Sequence, residues 1–156
     1  MRLILILTAL LAFQSAATSE FDEIKALAEQ GVAAAQYNLG VMYDNGKGVP
    51  ENDVEAVKWF RKAAEKGYAY AQFNLGNMYA NGEGVPVPEI IPWFSEEGAP
   101  NNNTRAYVWW SMAKTQGNAK AASNIDKLKP KMTPQQIADG QALASKCYES
   151  NYKECD

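Results

Sequence analysis

The sequence has no histidine among its 156 residues. This absence excludes catalysis by Ser–His or Cys–His pairs, and it removes imidazole as a metal ligand. Lysine and arginine number 15 against 18 aspartates and glutamates, and no stripe of basic residues stands out. The charge balance therefore gives no electrostatic footprint for binding nucleic acid.

Long apolar runs are also scarce, and the clearest one lies at the start of the chain. Residues 1–20 read MRLILILTALLAFQSAATSE, with an apolar run over residues 3–13 followed by small residues. The run is shorter than the roughly 18 residues that a membrane span needs. The pattern predicts a signal peptide over residues 1–17, with an uncleaved anchor as the alternative. No cysteine lies near the cleavage region, so we expect a periplasmic or secreted protein that is not a lipoprotein.

Cysteine is nearly absent as well, and both copies, Cys147 and Cys155, lie in the C-terminal stretch SKCYESNYKEC. An even number of cysteines in an exported chain predicts a disulfide. Closing so short a loop stabilises the fold by about 2–3 kcal/mol in the chain-entropy model. A redox pair or a metal site is the alternative, but these usually have C-x-x-C spacing or further ligands.

The sequence is rich in internal repetition, at a period of 36 residues. GVAAAQYNLGVMYDNGKGVP, from Gly31, matches GYAYAQFNLGNMYANGEGVP, from Gly67. A 14-residue insert over residues 87–100 interrupts the second copy, and beyond it the register resumes with Trp109 aligned to Trp59. We divide the mature chain, residues 18–156, into repeats at about 31–66, 67–116 and 117–130.

Each repeat predicts two helices, because apolar residues recur three and four positions apart. These residues are Val54, Val57, Phe60 and Ala64 in one helix, and Ala71, Leu75, Met78 and Tyr79 in the other. Asn52 is the predicted N-cap of the first helix, and Gly67 ends it. Gly76 inside the second helix costs about 1 kcal/mol relative to alanine. It therefore predicts close approach by a neighbouring helix, which Ala63 and Ala64 would permit.

A dozen spaced positions resemble the Sel-one-like repeat, a short relative of the tetratricopeptide repeat, over about residues 21–129. They are Ala56, Trp59, Ala63, Ala64, Gly67, Ala71, Leu75, Gly76, Tyr79, Gly82, Gly84 and Val85, with Trp109, Ala113 and Gly117 recurring in register after the insert. The resemblance implies an all-α solenoid of two to three helix-pair repeats. It also implies that the protein binds another protein in the groove between stacked helices. The last repeat departs from the pattern, with Asp126 in place of the glycine and Lys129 in place of the tyrosine.

The tail has its own helix signal. Thr133 as N-cap, Pro134 at the first position and Gln136 at the third form a capping-box pattern. We expect a capping helix over residues 133–150 that folds back on the solenoid, with the disulfide holding its end.

One motif suggests chemistry. Residues 111–114 read SMAK, which fits the S-x-x-K pattern of penicillin-recognising serine enzymes through Ser111 and Lys114. The companion motifs KTG and SDN are absent, and the four residues align with an ordinary helical stretch at 61–64. We therefore expect no enzyme activity, no cofactor and no metal; a penicillin-interacting or cell-wall enzyme is the alternative.

The partner-binding residues are the remaining hypothesis. The insert carries Ile90, Ile91, Trp93 and Phe94 between prolines, and these side chains either cover a groove or contact a partner. Lys58, Arg61 and Lys62 offer charged contacts. A further alternative is an immunity-type or inhibitory protein with one exported partner. The incomplete first unit leaves stacking on a second chain open.

Overall fold

The structure is a computed structural model and describes residues 19–85 and 101–155. This part of the chain folds into seven α-helices and a short 3-10 turn, without strands. The helices are α1 Glu20–Glu29, α2 Ala33–Asn45, α3 Asp53–Ala64, α4 Ala69–Asn81, α5 Asn102–Thr115, α6 Ala119–Leu128 and α7 Pro134–Glu149, with the 3-10 turn Lys129–Lys131 before α7. The predicted signal peptide and the insert lie outside the described residues. None of the helices in residues 19–85 and 101–155 combines the length and the hydrophobicity that a membrane span requires.

The first six helices form three pairs, α1–α2, α3–α4 and α5–α6. Each leading helix packs against its own trailing helix, and α3 and α5 also pack against the trailing helix of the preceding pair. We call the contact of α2 with α3 the first junction and that of α4 with α5 the second junction. The predicted all-α solenoid of stacked helix pairs is confirmed.

Local signals end and begin these helices. Asn52, Asn101 and Asn118 each accept a hydrogen bond from the backbone N–H three residues on, at the starts of α3, α5 and α6. Gly46 and Gly82 end α2 and α4 with φ of 64° and 74°, where a side chain would be strained. The caps therefore set the helix bounds that the repeat pattern predicts.

A glycine in each of the first two trailing helices makes room for an aromatic ring. A Cβ at Gly76 would lie 2.5 Å from Trp110 Cδ1, and one at Gly40 would lie 2.6 Å from Phe60 Cδ1. The prediction of a close approach at Gly76 is right, but the neighbour that we predicted is wrong. Ala63 and Ala64 belong to the same pair as Gly76, whereas the ring that fills the space comes from the next pair.

A buried glutamine ties each of the first two leading helices to its trailing helix. Gln36 Nε2 donates to the Ala28 carbonyl at 3.1 Å, and Gln72 Nε2 donates to the Ala64 carbonyl at 3.2 Å. Both carbonyls lie in the last turn of a helix, where backbone acceptors lack intrahelical partners. Sequence analysis did not assign a role to these glutamines.

The tail folds back, but onto a leading helix. Thr133 caps α7 with a complete capping box, and α7 packs against α5. A Cβ at Gly140 would lie 2.9 Å from Tyr107 Cδ1, so the two helices approach closely. Cys147 and Cys155 form a buried disulfide. The loop that this disulfide closes places the Tyr152 ring against Gly67, so the tail reaches back to the second pair.

Candidate functional site

One face of α3 is exposed to solvent. Val54, Lys58 and Lys62 follow each other at four-residue spacing, so they lie on the same side of the helix. Val54 is 63% exposed, so its predicted place on the apolar face with Val57, Phe60 and Ala64 is wrong. Both lysines are exposed as well. We call Val54, Lys58 and Lys62 the open face.

The basic residues predicted to bind a partner have different surroundings. Lys58 Nζ lies 3.1 Å from a Glu55 carboxylate oxygen, and Lys62 Nζ lies 4.1 Å from the centre of the Trp59 ring. The half-buried Arg61 instead donates a hydrogen bond to the Tyr79 hydroxyl. The structure therefore places Lys58 and Lys62 together on the open face and directs Arg61 toward α4.

The same face of α5 is buried. Thr104, Val108 and Met112 occupy the positions equivalent to the open face, and all three are buried. Because α7 packs against α5 and shares its apolar cluster, the tail contributes to this cover. The two leading helices thus differ in solvent exposure along this face.

The residues assigned a structural role by the repeat pattern lie in the core or at turns. The buried ones are Trp59, Ala63, Ala71, Leu75, Gly76, Tyr79, Trp109 and Ala113. Gly67 and Gly117 follow leading helices with φ of 80° and 86°. The insert residues Ile90, Ile91, Trp93 and Phe94 lie outside the described part of the chain.

A second surface lies beside the first junction, where the start of α4 meets α2, and it was not predicted from the sequence. The Tyr37 ring centre lies 5.2 Å from that of Tyr68 and 6.2 Å from that of Tyr70, and the last two are 6.0 Å apart. Tyr70 is 62% exposed. Burial is the main reason that the pKa of Tyr37 is raised above 10.0, and the nearby Tyr68 raises it further. We call Tyr37, Tyr68 and Tyr70 the tyrosine ridge; its signal was the pair of tyrosines flanking Ala69.

Several acidic side chains lie near the C-terminal end of α2. Burial raises the pKa of Asp44 above its ordinary value, and the carboxylates of Asp53, Glu83 and Glu51 raise it further. Gly84 abuts the Asp53 carbonyl, which brings the turn after α4 against the start of α3. We call these four acids the acidic group. No cluster of three or more metal-ligating side chains forms within residues 19–85 and 101–155.

The S-x-x-K motif has a helical explanation. Ser111 Oγ donates to the Tyr107 carbonyl at 2.7 Å, one turn back in α5. Serine commonly makes this bond in helix interiors. The hydroxyl proton is thus engaged by the backbone rather than by Lys114.

Stacked helix pairs joined by recurring glycine–aromatic contacts define an α/α solenoid repeat protein. Residues 33–68, 69–89 and 93–118 match the model of the Sel1 repeat. The chain belongs to the Sel1 repeat family. The first match begins with α2 and includes α3, so it contains the whole first junction.

Several solved structures are similar, including the following two. The first is c5321, described as a protective antigen present in uropathogenic Escherichia coli strains displaying an SLR fold, with 31% identity and a TM-score of 0.68. The match covers 87% of this chain but only 27% of c5321. The second is a Sel1 repeat protein from Oxalobacter formigenes, with 31% identity, a TM-score of 0.56 and coverage of 67% and 68%. No curated protein sequence matches the chain significantly.

Proposed function

We propose that the protein is an exported, non-catalytic interaction module whose partner protein contacts the open face of α3. Repeats of this family generally serve as protein–protein interaction modules. The alternatives of a cell-wall enzyme and of an immunity-type inhibitor make different predictions, which the experiment below separates.

The contrast between α3 and α5 carries the proposal. An apolar residue and two cations are exposed on α3, while the equivalent residues of α5 are buried. Val54 presents exposed apolar surface, and Lys62 Nζ already lies over the Trp59 ring. A partner that covers this face would bury Val54 as Val108 and Met112 are buried in the next pair.

The disulfide supports export. Disulfides persist in oxidising compartments and are rare in the cytosol. A buried Cys147–Cys155 bond is therefore compatible with the export that the N-terminal sequence pattern predicts.

Affinity purification from an exported-protein extract of the native host tests the site. The mature chain serves as bait beside Lys58→Glu/Lys62→Glu and a matched control, Lys120→Glu/Lys127→Glu, which reverses two exposed charges on α6. We expect one protein to be retained by the wild type and the control and lost from the α3 variant. Equal retention by all three baits, at equal helicity and melting temperature, would remove the open face from the interface.

A fourth bait lacking residues 87–100 tests the insert separately. Loss of the partner from this bait alone assigns the contact to the insert. One partner in fixed stoichiometry that is inhibited on binding would favour the immunity-type alternative. Acylation of Ser111 by a fluorescent penicillin would establish the enzyme alternative.

A further inference from the structure

The tyrosine ridge is not required by the repeat. At the second junction the equivalent positions hold Phe73, Asn118 and Lys120, and the helices stack there without the ridge. Exposed tyrosines combine a large rigid surface with little entropy to lose, and they are enriched where proteins bind one another. Tyr37 and Tyr68 are half-buried and pack against the core, whereas Tyr70 is 62% exposed. The core accounts for one side of the ridge, and the outer side around Tyr70 is free to contact a partner.

The acidic group is also not required by the repeat, and Asp44 within it is unfavourably placed. Asp44 lies in the last turn of α2, where the helix dipole disfavours negative charge. The neighbouring carboxylates of Asp53, Glu83 and Glu51 disfavour it further. The equivalent residue of α4 is Ala80. A half-buried carboxylate beside other acids, which the second copy lacks, suits contact with a cation from outside.

The spacing of the two features indicates the shape of the ligand. Tyr37 and Asp44 are seven residues apart on one face of α2, which is about 10.5 Å along the helix axis. A polyproline II segment advances about 3.1 Å per residue, so three to four residues cover that distance. Proline-rich segments dock on aromatic-lined surfaces because their extended shape is formed before binding.

We propose that the tyrosine ridge and the acidic group together bind an extended, proline-rich segment of a partner protein. Its prolines pack on Tyr37, Tyr68 and Tyr70, and a lysine or arginine three to four residues away contacts the acidic group around Asp44. This surface is separate from the open face of α3, and the proposal does not depend on that site.

Fluorescence anisotropy with a labelled synthetic peptide tests the proposal on the whole mature chain. The probe is a proline-rich peptide of about ten residues carrying one arginine three residues from the nearest proline pair. Two comparison peptides replace the prolines with glycine or the arginine with glutamate. We expect the probe to bind at least about tenfold more tightly than the glycine peptide. Added salt should weaken the binding of the probe.

Variants connect binding to the surface. The variant Tyr68→Asn/Tyr70→Ser is expected to lower the affinity for the probe at least about tenfold. The fold tolerates asparagine at the first position, since Asn118 caps α6 at the equivalent site. Tyr68→Phe/Tyr70→Phe keeps both rings and should keep binding. Asp44→Ala should lower the affinity for the arginine probe about threefold and leave the affinity for a neutral proline peptide unchanged.

Three outcomes would overturn the proposal: no saturable binding of the probe, equal binding of the glycine peptide, or unchanged affinity in the folded Tyr68→Asn/Tyr70→Ser variant. Ridge-dependent binding of a soluble polysaccharide in place of the peptide would overturn it as well. Lys58→Glu/Lys62→Glu should bind the probe normally. The experiments therefore distinguish failure of the open-face proposal from failure of the tyrosine-ridge proposal.

Discussion

The two junctions of the solenoid share a framework and differ in what surrounds it. In both, a trailing-helix glycine receives an aromatic ring, Phe60 against Gly40 and Trp110 against Gly76. The larger ring of the second junction brings an indole N–H that must find an acceptor. Trp110 Nε1 donates to Asn77 Oδ1 at 3.1 Å and lies 3.2 Å from the Phe73 carbonyl.

The residue at the Asn77 position changes with the ring. The first junction has Val41 there, beside a phenylalanine that needs no acceptor. In the second, Asn124 Nδ2 also donates to Asn77 Oδ1, at 3.2 Å, so the asparagine serves two donors. The two junctions therefore differ together at the ring and at the residue that contacts it.

The side chain of the buried glutamine has all its hydrogen-bond partners in the second junction only. Gln72 Oε1 accepts from Gln116 Nε2 at 2.7 Å, whereas the buried Gln36 Oε1 has no hydrogen-bond partner. The residue equivalent to Gln116 is Lys66, which donates to the Gly31 carbonyl instead. The buried polar groups of the second junction are thus better satisfied, and the tyrosine ridge and the acidic group lie beside the first junction.

The largest expected effect is overpacking at the glycines. Gly76→Ala places a methyl group against Trp110, whose ring is held by its hydrogen bonds and retreats with difficulty. We expect a loss of about 2–3 kcal/mol in the free energy of unfolding, after the gain in helix propensity. Gly40→Ala should cost about 1–2 kcal/mol, because Phe60 lacks such bonds. Urea unfolding with the disulfide intact measures both, and a larger loss at Gly40 would contradict the comparison.

The polar contact of the second junction is the next target. Asn77→Val copies Val41 and removes the acceptor shared by Trp110 and Asn124. We expect a loss of about 1–2 kcal/mol in the free energy of unfolding. In a double-mutant cycle with Trp110→Phe, the coupling energy should be at least about 0.5 kcal/mol. Additive losses would show that the asparagine stabilises the junction by another route.

Exchanging Lys66 and Gln116 should change the free energy of unfolding by a smaller amount, with opposite sign in the two junctions. Lys66→Gln supplies a donor for the buried Gln36 Oε1 and should raise the free energy of unfolding by about 0.5–1 kcal/mol. The reciprocal Gln116→Lys removes the partner of Gln72 and should lower it by a similar amount. Thermal and urea unfolding of both variants test this, and equal signs would refute the explanation.

The smallest effect concerns Asp44. Its raised pKa means that the folded state binds the proton more tightly than the unfolded chain. Ionisation therefore lowers stability as pH rises from the ordinary value of 3.8 to the raised pKa, and the loss persists at higher pH. Asp44→Asn should raise the free energy of unfolding by a few tenths of a kcal/mol near pH 7, since solvent screens this charge. The gain should vanish near pH 3, and a gain that grows on acidification would contradict the sign.

The framework was predictable from local pattern, and the surfaces were not. Asn52 as cap, Gly67 as stop and a close approach at Gly76 all follow from residue type and spacing. The identity of the ring at Gly76 did not follow, because periodicity shows that a face is buried without showing which helix covers it. The same limit applies to Lys58, Arg61 and Lys62, whose partners depend on the rotation and stacking of α3.

The period of 36 residues, the helix pairs and the family follow from the amino-acid sequence, because hydrophobic spacing, caps and turn glycines act over a few residues. The tyrosine ridge and the covered face of α5 exist only in the folded chain. Tyr37 meets Tyr70 only when the start of α4 lies beside α2 of the preceding pair. Val108 is buried in the fold, whereas its equivalent Lys58 stays open. Contacts between distant segments depend on how helices stack, and no local pattern encodes that.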